Sequence, residues 1–103
     1  MSAFKFFLVL LLAGVVGVQA ADAPKPLRAL MVTGGCCHDY ANQKKILSEG
    51  ISARANVEWS IVHEGDNREH RISVYDKPDW AKGFDVIVHN ECFGMVNDVA
   101  FVE

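Results

Sequence analysis

Residues 27–33 (LRALMVT) form a short, nearly continuous apolar run set between Pro26 and the pair Gly34-Gly35. A run of this length without polar alternation reads as a β-strand covered on both faces, the situation of strands in a parallel sheet. The chain after it fits that reading. Ile46, Leu47, Gly50 and Ile51 recur with Lys44, Lys45, Ser48, Glu49 and Ser52 between them, which is the pattern of an amphipathic helix. Asp39 or Asn42 is suited to cap its start, and Asn56 suits a left-handed cap after its end. Residues 57–63 (VEWSIVH) then alternate apolar and polar, as expected of a half-covered edge strand. Residues 64–84 form a polar crossover in which Pro78 opens a short helix (PDWAK) that Gly83 closes. Val86-Ile87-Val88, fenced by Asp85 and His89, reads as a third, buried strand.

The order β-α-β-α-β specifies an α/β fold with an open parallel sheet. Crossovers of one hand and the common order 2-1-3 place strands one and three side by side. Three parallel strands need helices on both faces. This stretch supplies one solid helix and one short one, and the pattern breaks off in mid-unit at Glu103. The expectation is an incomplete three-layer sandwich, the N-terminal part (27–103) of a larger domain.

Upstream, Lys5 precedes 13 uncharged, mostly apolar residues, 6–18 (FFLVLLLAGVVGV), and Val18-Gln19-Ala20 places small residues where a signal peptidase reads them. The run is shorter than the roughly 20 residues that span a bilayer core. Residues 1–20 therefore read as a cleavable export signal and residues 21–26 (ADAPKP) as a linker, giving a periplasmic or secreted protein with no stable membrane span after cleavage. Removal of the signal leaves nine basic against thirteen acidic side chains, a net charge of −4. No basic run exceeds Lys44-Lys45, so nothing matches the electrostatic footprint of a nucleic-acid binder.

In open parallel sheets, ligands bind beyond the carboxyl ends of the strands, where strand order reverses. Strand one runs into Gly34-Gly35-Cys36-Cys37-His38-Asp39-Tyr40 and strand three into His89-Asn90-Glu91-Cys92-Phe93-Gly94. The expected ligand site is Gly34, Gly35, His38, Asp39, His89 and Glu91, with the glycines leaving room for a ligand to approach the backbone. His38 and His89 are the candidate ligands for a divalent metal. His63 and His70 read as solvated loop histidines. No dinucleotide fingerprint or phosphate-binding loop follows the glycines. Cys36 and Cys37 are adjacent rather than C-x-x-C, so they fit neither zinc-finger nor thioredoxin spacing. In an exported protein the three cysteines permit one disulfide, Cys92 with Cys36 or Cys37, leaving one thiol free, and buried unpaired thiols are the alternative.

The run Ala29 to Gly35, followed by Cys36-Cys37-His38-Asp39-Tyr40, a helix and then Gly83-Phe84-Asp85-Val86-Ile87-Val88, resembles the start of a ThuA-like (trehalose utilisation) domain. The resemblance implies a flavodoxin-like, class I glutamine amidotransferase-like fold without the glutaminase nucleophile, so Cys92 is not expected to be catalytic. It also implies a role in catabolism of trehalose-type or keto-sugars, with a small sugar as partner. Two functions follow as expectations: a sugar-processing enzyme domain, or a non-catalytic carbohydrate-binding or interaction domain.

Overall fold

The computed structural model describes Gly17 and residues 20–102, so the expected export signal, residues 1–20, lies almost wholly outside the described residues. Six elements follow in order: β1 (Leu27–Gly35), α1 (Tyr40–Ser52), β2 (Val57–His63), a 3-10 turn (Ser73–Asp76), β3 (Val86–Cys92) and α2 (Val99–Val102). The chain is α/β, and its three strands form one all-parallel open sheet in the order β2-β1-β3. The expected adjacency of strands one and three is observed, with strand two flanking strand one.

The apolar run of β1 takes the central position, where every residue from Ala29 to Gly35 is buried. Register separates its two faces. Trp59 pairs with Ala29 and His63 with Thr33, and both reach α1: the Trp59 indole donates to Ser52 Oγ at 3.0 Å, and Lys44 Nζ lies 3.0 Å from His63 Nδ1. Helix α1 therefore covers the Ala29-Met31-Thr33 face. Leu30 and Val32 point the other way, into a core with Ile72, against which Val62, Val74, Tyr75, Trp80, Phe84, Ile87 and Phe93 pack. That second layer comes from the 64–84 crossover. At the opening of the sheet, the Arg28 amide donates to Asp85 Oδ2 at 2.8 Å and the Asp85 amide returns a bond to the Arg28 carbonyl at 2.7 Å, fixing the β1/β3 register.

Several local expectations change. Strand three extends past Val88 to Cys92, and it is half-buried rather than buried, with Val86 41% exposed, because an edge strand lacks a neighbour on one side. In α1, the side turned to the sheet follows Tyr40, Gln43, Lys44, Leu47 and Gly50, whereas Ile46 is 60% exposed. The helix is anchored by buried Tyr40, so positions three and four residues on, not Ile46, come to face the sheet. Asp39 is the N-cap, its carboxylate accepting from the Asn42 amide at 3.0 Å. Asn56 is not left-handed; the helix ends at Ala53 in the right-handed region, and Asn56 Nδ2 instead donates to the Pro24 carbonyl at 2.9 Å. The stretch 78–83 forms consecutive turns rather than a helix, closed by Gly83 at φ +90°.

Candidate functional site

The length of β3 decides where its polar residues point. In a strand, alternate side chains share a face, so His89 and Glu91 lie on the same face as Ile87, away from α1. The register confirms it: His89 pairs with Val32, and Glu91 with Gly34. There the two residues meet Tyr75, delivered by the 3-10 turn. The Tyr75 hydroxyl donates to Glu91 Oε1 and lies 3.1 Å from His89 Nδ1, and His89 Nδ1 is 2.9 Å from the same Glu91 oxygen. Desolvation, and then the hydrogen bond to Glu91, push the Tyr75 phenol well above its ordinary range, so it remains a proton donor. The Tyr75 hydroxyl and His89 Nδ1 thus converge on one Glu91 oxygen, and His89 Nε2 takes no part in these bonds. The Glu91 side chain is 15% exposed, and its second oxygen, Oε2, is buried with no hydrogen-bond partner among the described residues.

These three residues border a cavity of about 520 Å³ whose remaining wall is apolar and aromatic, including Trp80, Phe93 and Phe101. Trp80 and Phe101 meet the Tyr75 ring edge to face at 4.9 and 5.9 Å between centroids. Arg71 stacks over Phe101 at 4.4 Å and pairs with Asp98, which ties α2 to the crossover. A cavity of this size, mostly apolar with a few converging polar groups, has the makeup of a small-molecule site.

Of the residues expected to form the site, the structure brings His89 and Glu91 together and leaves the others elsewhere. His38 is exposed and its ring meets Tyr40 at 5.9 Å, at the start of α1 on the opposite side of the sheet, while Asp39 is occupied in capping that helix. The expected metal pair of His38 and His89 is thus separated by the sheet, and among the described residues no group of three or more His, Cys, Asp or Glu is placed to hold a metal. Gly34 and Gly35 have φ of +136° and +104°, but the space beside them is filled by backbone: a Cβ would sit 1.9 Å from the Glu64 carbonyl oxygen at Gly34 and 2.1 Å from the Cys92 carbonyl oxygen at Gly35. They let neighbouring strand ends close in rather than a ligand.

The other histidines are engaged too. His63 contacts Lys44, and His70 pairs with Glu64 at 3.3 Å. Glu64 also accepts from the Ser73 hydroxyl and amide at 2.8 and 3.1 Å, and this bonding holds its carboxyl below the usual range. The expected pairing of Cys92 gives way to a disulfide between Cys36 and Cys37, and Cys92 is an exposed free thiol. Tyr75 and Trp80 escaped the sequence reading because both lie in the polar crossover; the aromatic pair five residues apart is the signal that could have found them. No family model, curated protein or solved structure matches this chain.

Proposed function

We propose that this chain carries the ligand-binding part of an exported ThuA-like domain, of flavodoxin-like, class I glutamine amidotransferase-like architecture, that acts on a trehalose-type or keto-sugar. The observation that carries this reading is the juxtaposition, in one cavity beside β3, of an aromatic wall with the Tyr75–His89–Glu91 cluster. Aromatic faces cover the C–H surface of a sugar ring, and a few fixed polar groups select its hydroxyls. Glu91 Oε2, buried and unpartnered, is suited to accept from a ligand hydroxyl, which would satisfy it. His89, its Nδ1 held by Glu91 and Tyr75, is the group placed to exchange a proton with a bound sugar, as a general acid or base. Cys92 has no part in this chemistry, since it borders a different cavity. A disulfide between Cys36 and Cys37 suits an oxidising compartment outside the cytoplasm.

The aromatic lining also supports binding without chemistry, and turnover separates the two readings. Calorimetric titration with trehalose should give saturable binding to the wild-type chain. Trp80→Ala and Glu91→Gln should each weaken it at least tenfold, about 1.4 kcal/mol, while Trp59→Phe leaves it unchanged. Binding that is absent from the wild type, or as tight in both cavity variants as in the wild type, would overturn the proposal. Sugar conversion that is lost in His89→Ala supports an enzyme, and binding without conversion supports a binding domain.

A further inference from the structure

Away from the aromatic cavity, the ends of β1 and β3 bring all three cysteines to one place. Gly35 pairs with Cys92, and the Cys36 amide donates to the Cys92 carbonyl at 3.3 Å. Cys36, Cys37 and Cys92 line a cleft of about 220 Å³ with Arg68, Gly94 and Met95. The Met95 amide donates to the Arg68 carbonyl at 3.0 Å, which holds the arginine over the end of β3, and Arg68 Nη2 lies 3.9 Å from Cys37 Sγ. Cys36 is half-buried, whereas Cys37 and Cys92 are exposed. A free thiol, an accessible disulfide and a guanidinium are the components of thiol–disulfide exchange: an attacking thiolate, a sulfur to attack, and a cation beside the leaving sulfur.

We propose that Cys36, Cys37 and Cys92 form a thiol–disulfide exchange site whose substrates are low-molecular-weight disulfides. Cys92 loses its proton to solvent, and its thiolate attacks Cys36 Sγ. The Cys92–Cys36 bond forms as the Cys36–Cys37 bond breaks, and the electron pair leaves on Cys37 as a thiolate beside Arg68. No external oxidant is consumed in this step. The Cys37 thiolate then attacks a small disulfide, forming a mixed disulfide on Cys37 and releasing one equivalent of the small thiolate, so that sulfur oxidation states balance. Arg68 is a positioning residue here: it stabilises the departing Cys37 sulfur and does not react. This inference is independent of the sugar reading, since it uses a different cleft and different residues.

The test is incubation of the full chain with oxidised glutathione, followed by acid quench and disulfide mapping by mass spectrometry. The expected product carries glutathione on Cys37 and a Cys36–Cys92 disulfide. Cys92→Ser should retain the Cys36–Cys37 bond and gain no adduct, and Arg68→Gln should form the wild-type product several-fold more slowly. Glutathione on Cys92 with the Cys36–Cys37 bond intact, or no adduct on the wild type, would overturn the proposal. Because Cys92 and Arg68 are exposed and outside the core, circular dichroism of both variants should match the wild type.

Discussion

Tyr75 is the residue on which the polar chemistry of the aromatic cavity depends, because it is the donor that Glu91 needs in a partly dry setting. Replacing it by Phe keeps the ring against Trp80 but removes one of the two partners of Glu91 Oε1, leaving His89 Nδ1 alone on that oxygen while Oε2 stays unpartnered, at an expected cost of about 1–3 kcal/mol, measurable by urea unfolding. The pH dependence has a definite sign. The folded phenol titrates above the ordinary 10.0, so its contribution is complete below that value and declines as pH rises beyond it. The stability gap between wild type and Tyr75→Phe should therefore narrow in strongly alkaline buffer. Glu64 behaves in the opposite sense. Its carboxyl is held below the ordinary 4.5, first by the Ser73 hydroxyl, so its stabilisation is present above that value and is lost as pH falls through the lowered one. Ser73→Ala should reduce stability near neutrality and flatten the acid limb of the unfolding curve followed by circular dichroism; an unchanged acid limb would show that the Ser73 bond does not set the titration. Glu64, Ser73 and His70 were not legible as a unit in the sequence, because the three are joined only when the crossover folds back.

Among elements, the junction of β1 with its neighbours is the least tolerant. At Gly34 a side chain would meet the Glu64 carbonyl in a left-handed backbone region, combining strain with a clash against backbone that cannot rotate away. Gly34→Ala should cost roughly 3 kcal/mol or more and lower the thermal midpoint sharply, whereas Gly50→Ala, where nothing lies within 4 Å of the added carbon, should be neutral or stabilising. A Gly34→Ala chain as stable as wild type would mean that the strand ends are looser than described. The glycine pair was visible as a turn from composition, but its purpose was not. Local sequence says that a backbone can take positive φ; only the approach of Glu64 and Cys92 says why it must. The same division holds for α1, whose existence follows from residue order, while the choice of Asp39 over Asn42 as its cap and the outward turn of Ile46 depend on how the folded helix is seated.

Across the whole molecule, the sheet acts as a partition that sorts the expected site residues. His38 and Asp39 belong to the side of α1, and His89 and Glu91 to the side of the crossover. His89→Ala should therefore disturb trehalose binding and the near-ultraviolet signal of Trp80, and His38→Ala should change neither; equal effects of both substitutions would contradict the partition. What the sequence determined by itself was the α/β class, the three strands, the main helix, and the order β2-β1-β3, because apolar continuity, period and crossover rules act over short stretches and a few topologies. What only the tertiary structure decided was which residues share a face at the strand ends. Extending β3 from Val88 to Cys92 turns loop residues into alternating strand residues, and folding residues 64–84 onto the sheet brings Tyr75 and Trp80 across 14 and 9 positions of sequence to His89. Strand alternation reverses a side chain with every residue, so a boundary error of a few positions leaves the fold intact and scatters the site.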